Sequence, residues 1–166
     1  MDQVQDQHER AVGETFIASY NAKHRTAFKL IDRVDEHPDL VFRDGDRELC
    51  ARVTTVYYDP LDAQFRWTHA RARPEAPKVW TGFDFEKGLI RSINDEIAER
   101  CGEDCGRGCI LLISVHPTVT TATMMNEVLR HVVVPPLNPF EGIYLAGNLD
   151  KVKRIGKAEI CIKQLA

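Results

Sequence analysis

Asp39, Glu48, Arg52 and Thr54 are the residues whose types and spacing could do chemistry together, and they fall in one short stretch, Pro38 to Thr54. The stretch reads as two strands and a tight turn. Leu40-Val41-Phe42 is a short apolar run, Asp44-Gly45 is a strong hairpin signal, and Leu49, Ala51 and Val53 alternate with Glu48, Cys50, Arg52 and Thr54. A carboxylate opens the first strand, and polar residues line one face of the second. Alternate residues of a strand share a face, so the two sets can meet across the hairpin. A divalent-metal site needs that geometry: oxygen ligands from neighbouring strands, beside a residue that handles a phosphate or a water. The plainer reading stays open beside it, with Asp39 pinning the turn before its strand and Glu48 as a solvated hairpin residue.

Pro38-Asp39, with Arg52-Val53-Thr54 on the next strand, resembles the PD-(D/E)xK signature of the restriction-endonuclease-like nuclease superfamily. Family members carry a metal-binding carboxylate at the position of Arg52 and usually a lysine at that of Thr54. Arginine inverts the charge where a metal ligand is expected, and threonine can position a water but supplies no charge. Glu48, on the same strand face as Arg52, is the candidate displaced carboxylate. Glu14, in the N-terminal helix, falls where many members place an additional acidic residue. The order of elements over roughly residues 10 to 150 also looks like that of this group.

The resemblance implies a restriction-endonuclease-like α/β fold, a mixed central sheet flanked by helices. It also implies magnesium-dependent hydrolysis of phosphodiester bonds, with Asp39 as metal ligand and Glu14 and Glu48 as helpers. The broken second half of the motif leaves an alternative: a nuclease-derived module that binds a nucleic acid or a protein partner and no longer cleaves. In that case Arg52 is a phosphate clamp or a buried partner for Asp39.

Two other constellations carry candidate chemistry. Between residues 59 and 82, Arg66, Trp67, His69, Arg71, Arg73, Lys78 and Trp80 are set among prolines 60, 74 and 77. Cations interleaved with aromatics suit contact with phosphates and bases; an exposed loop whose tryptophans cover the core is the alternative. Cys101, Cys105 and Cys109 recur every fourth residue, with His116 near enough to be a fourth metal ligand. A zinc knuckle normally uses a closer pair, however, and Cys101 and Cys109 also fit burial in a helix stripe and a strand. No phosphate-cradling glycine loop and no serine–histidine or cysteine–histidine signature is present.

Composition sets the frame for these sites. The 166 residues suit one domain, 1–166, with a single substantial core, and 43% hydrophobic with 28% charged residues is ordinary for a globular protein. A net charge of -3 argues against a general nucleic-acid coat, though not against one positive face. No apolar run approaches the roughly 18 residues of a membrane span. The acidic, polar start Met1–Asp6 is unlike a secretory signal, and the odd cysteine count fits reduced thiols, so a cytoplasmic location is expected.

The elements that must position the sites follow from periodicity. Val12, Phe16, Ile17 and Tyr20 predict a helix over 9–22. Residues 27–34 are ambiguous between helix end and strand. Asp84 is placed to cap a helix over about 86–101, whose buried stripe is Leu89, Ile90, Ile93, Ile97 and Cys101 and whose terminator is Gly102. Cys109–Val115 reads as a central strand buried on both faces. Thr120 or Thr121 caps a helix to about Arg130, and a strand over Ile143–Ala146 and an alternating strand from Glu159 to Leu165 complete an α/β layer structure.

Overall fold

A computed structural model describes residues 3–33, 39–57, 85–103, 108–115, 121–147 and 161–165. The described residues form helices α1 (Gln3–His24), α2 (Phe85–Cys101) and α3 (Ala122–Leu129), and strands β1 (Lys29–Arg33), β2 (Leu40–Asp44), β3 (Arg47–Val56), β4 (Cys109–Val115), β5 (Gly142–Gly147) and β6 (Cys161–Gln164). The strands lie in one sheet in their chain order. β1, β2 and β3 form an antiparallel meander, β3, β4 and β5 run parallel, and β6 returns antiparallel at the edge. The architecture is a mixed α/β sheet with helices on both faces.

The hairpin forms where the turn chemistry placed it. Asp44 pairs with Arg47, which leaves Gly45 and Asp46 as the loop. Gly45 has a φ of +61°, a left-handed conformation that a residue without a Cβ adopts at no steric cost. The ambiguous segment resolves as β1 because Asn21 captures it: its side chain accepts from Phe28 N (2.9 Å) and donates to Phe28 O (2.8 Å). β1 is an edge strand with a register break between Leu30 and Asp32, and such an irregularity disfavours pairing with a further strand.

Helix faces explain the layers. On α1, Val12, Phe16 and Ile17 are buried against Phe28, Leu40, Phe42, Leu49, Ala51, Ile110, Leu112 and Tyr144. On α2, Leu89, Ile93 and Ile97 are buried against the opposite face, with α3 contributing Met125 and Val128. Each such aliphatic side chain contributes about 1.5–3 kcal/mol when fully buried. β4, parallel to both neighbours, is buried at every position, as its unbroken apolar run requires.

The ends of the helices differ in part from expectation. Thr121 caps α3 by accepting from Met124 N at 3.1 Å. Gly102 ends α2 with tightened bonds, Gly102 N to Glu99 O (3.0 Å) and Glu103 N to Arg100 O (3.1 Å), rather than with a left-handed cap. Asp84, the expected cap of α2, lies outside the described residues. Among the described residues no helix is long and apolar enough to cross a membrane.

Candidate functional site

Even-numbered residues of β3 face α2, because that face of the strand meets the α2 side of the core at Cys50 and Val56. Arg52 and Thr54 therefore point beneath a helix, and both are buried (5% and 7% exposed). A buried cation needs a counter-charge, since desolvating a guanidinium without one costs several kcal/mol. Here the carboxylates come from the last turns of α2 and from Glu103, two residues beyond its end. Arg52 forms an ion pair with Glu103, whose Oε2 is buried and meets the guanidinium off the line of a hydrogen bond. Thr54 Oγ1 donates to Glu96 Oε1 at 2.5 Å.

Arg100 joins the two carboxylates into a ladder. Its Nε donates to Glu96 Oε1 (2.8 Å) and its Nη1 to Glu103 Oε1 (3.0 Å). Burial works against its charge, but the hydrogen bond and charge of Glu96 and the charges of Glu103 and Glu99 outweigh it and raise the Arg100 pKa. Two cations and two carboxylates thus close on one another between β3 and α2.

Asp39 stands just before Leu40, which pairs with Ala51, so it lies beside Arg52 and Val53. Its Oδ2 accepts from Val53 N at 2.7 Å. The carboxylate thereby satisfies a backbone donor of β3 at the point where β2 begins.

The other acidic candidates are elsewhere. Glu48 is exposed near the hairpin loop, paired with Arg43 at 2.9 Å. It is four residues along β3 from Arg52, about 13 Å at the rise of an extended strand. Glu14 is exposed on α1 and paired with Arg10 at 3.1 Å. The expected gathering of Asp39, Glu48 and Glu14 does not occur. Among the described residues no group of three or more His, Cys, Asp or Glu side chains is arranged to hold a metal ion. The donor set therefore does not fit magnesium: one carboxylate is spent on a backbone amide, two are remote, and a guanidinium stands at the position of the expected ligand.

Helical spacing explains the misplacement on α1. Glu14 is two residues from Val12 and two from Phe16, about 200° around the helix from each, and so faces solvent. Glu9, three before Val12 and seven before Phe16, is on the inner face and is buried. His8 beside it brings Nε2 within 3.3 Å of Ser114 Oγ, at the carboxyl end of β4. Burial pushes the His8 pKa down, so the imidazole is held neutral. The inward helical phase was the available signal for Glu9, and only the fold supplies Ser114.

The cysteines divide in the same way. Cys50 and Cys109 are paired positions on β3 and β4, and Cys101 packs against the same core; none of the three is in a disulfide. Burial, the charge of Glu48 and a hydrogen bond to it push the Cys50 thiol pKa up, which disfavours the reactive thiolate. Cys105 and His116 lie outside the described residues, as do Arg66, Trp67, His69, Arg71, Arg73 and Lys78.

Comparison with known proteins adds no identification: no family model matches the chain, and neither a characterised protein nor a solved structure does.

Proposed function

We propose that this chain is a restriction-endonuclease-like module that binds nucleic acid without cleaving it. The observation that carries the reading is Arg52, buried at the position of the expected metal ligand with its guanidinium against Glu103. Asp39, the surviving half of the motif, bonds the Val53 amide, a role that needs no metal. The helix, three-strand meander, helix and parallel strand, in that order, support the fold half of the proposal.

Nucleic acid is the partner that the remaining sequence favours. Between Arg66 and Trp80 the chain carries Arg66, Arg71, Arg73 and Lys78 against a single acid, Glu75, with Trp67, His69 and Trp80 as stacking surfaces. Such a segment contacts phosphates by charge and bases by stacking, without reading sequence. A protein partner is the competing reading, and the net charge of -3 is its support.

The test is binding of labelled single-stranded and duplex DNA and RNA, with EDTA or magnesium, to the wild type and to a variant carrying Arg71→Ala and Arg73→Ala. The expected result is binding insensitive to EDTA, weakened by salt, intact substrate in every lane, and lower affinity with a shallower salt dependence in the double variant. Magnesium-dependent cleavage abolished by Asp39→Ala would overturn it.

A further inference from the structure

Residues 15–31 contain no Asp or Glu, yet they carry Lys23, His24, Arg25 and Lys29 in a chain whose net charge is -3. All four residues are exposed. Lys23 and His24 occupy the last turn of α1, and Arg25 ends it with a φ of +55°. Asn21 then fixes the turn that follows. Its side chain accepts from Thr26 Oγ1 (2.8 Å) and Phe28 N (2.9 Å) and donates to Phe28 O (2.8 Å), while its carbonyl accepts from Thr26 N (3.2 Å). Phe28 is thereby held beside the helix that the chain has just left. Lys29 accordingly starts β1 next to the helix end that carries Lys23 and Arg25.

The carboxylates next to this corner are already engaged. Asp44 Oδ2 accepts from Ala27 N (3.1 Å) and pairs with Arg47, whose guanidinium lies 5.4 Å from the centre of the Phe28 ring. Glu48 pairs with Arg43 at 2.9 Å. Lys29 stands directly opposite Arg43 in the β1–β2 register, and like charges so placed repel. Lys23 donates to the neutral Gln164 Oε1 at 2.8 Å, which does not cancel its charge. Among the described residues neither Arg25 nor Lys29 forms an ion pair. Even with the exposed Asp46 of the hairpin loop counted, the corner keeps a positive excess. The macrodipole presents only about half a negative charge at the C-terminus of α1, less than these cations supply.

We infer that this corner, Lys23, Arg25 and Lys29 with Arg43 beside them, is a docking surface for the sugar–phosphate backbone of a nucleic acid. The inference rests on the nucleic-acid reading above and gives it a second contact, apart from Arg66 to Lys78. A backbone presents a row of single negative charges, which matches cations spread along a turn; a compact anion would reach only one or two of them. Each cation engaged releases counterions from the nucleic acid, so the contact adds affinity that falls with salt. The turn is fixed before binding, which keeps the ordering cost low. Such a contact positions the strand and reads no sequence, because base edges are not touched.

The test is titration of a labelled DNA duplex into the full chain across about 0.05–0.2 M salt. One variant combines Lys23→Gln, Arg25→Gln and Lys29→Gln. A control combines Arg10→Gln, Arg91→Gln and Arg130→Gln, exposed cations elsewhere, and so removes the same charge. The corner variant should keep its melting temperature, bind at least about tenfold more weakly at low salt, and lower the slope of log affinity against log salt by about 2–3. The control should stay close to the wild type. A corner variant that binds no more weakly than the control overturns the inference. If the Arg71→Ala, Arg73→Ala variant is weakened in that case, the proposed function stands without the corner. Wild type that binds no duplex overturns both. Displacement by poly-glutamate as effective as displacement by unlabelled duplex, at equal charge, assigns the corner to an acidic protein and also overturns the inference.

Discussion

The two faces of the sheet are held in different ways, one by buried charge and the other by apolar and aromatic packing. On the α2 face, Arg52, Thr54, Glu96, Arg100 and Glu103 form a ladder that closes on itself. On the α1 face, packing is mainly apolar and aromatic: Phe16, Tyr20 and Tyr144 meet ring against ring, and His8 Nε2 meets Ser114 Oγ at 3.3 Å. The sequence motif drew attention to the first. Physical chemistry gives the first a structural role, because charged groups already matched within the protein have little to offer a ligand.

The largest expected effect breaks the closed side. Arg52→Met leaves the partly buried Glu103 with Arg100 as its remaining counter-charge and should cost about 3 kcal/mol, seen as a fall of roughly 6–12 °C in melting temperature. Adding Glu103→Met should restore most of that loss, since an ion pair replaced whole by apolar groups is close to neutral. If the double variant is as unstable as the single one, the ladder is not the closed unit described.

On the α1 face, Gly142→Ala forces the Tyr144 ring off its strand. Overpacking of this kind costs about 1–3 kcal/mol. Urea denaturation of wild type and variant measures the loss.

A smaller effect separates two roles of Asp39. Asp39→Ala strands the Val53 amide and should cost about 1–2 kcal/mol, while Asp39→Asn keeps an acceptor oxygen and should cost clearly less. A metal ligand would show the opposite insensitivity in stability and equal loss of function in both variants.

The smallest effect is on pH. His8 has a folded pKa below its unfolded value of 6.5, so the unfolded chain binds the proton more readily. Its contribution to stability is complete above pH 6.5 and is lost as the pH falls below it toward the lowered folded value. Melting temperatures at pH 7.5 and 5.5 should therefore differ more for the wild type than for His8→Gln.

Much of the frame was legible before any coordinates. Asp44-Gly45 encodes a local turn, the α2 stripe encodes a buried face, and Cys109–Val115 has too few polar atoms to be anything but interior. Local chemistry decides each of these. The partner of Arg52 was not legible, because Glu103 is 51 residues further along the chain and reaches Arg52 only once α2 crosses β3. Glu14 differs for another reason: its helical phase relative to Val12 and Phe16 turns it to solvent, whereas the resemblance implies an acidic residue at the site. The ring packing of Tyr144 against Phe16 and Tyr20 gave no sequence signal, since α1 and β5 are distant segments of the chain.

The most direct test of the closed ladder is calorimetric titration of magnesium and manganese into the wild type beside Asp39→Ala. The predicted result is no saturable binding in either protein, because the guanidinium of Arg52 already provides the positive charge at this position. Saturable binding in the wild type that Asp39→Ala abolishes would contradict it and return the site to a metal-dependent nuclease.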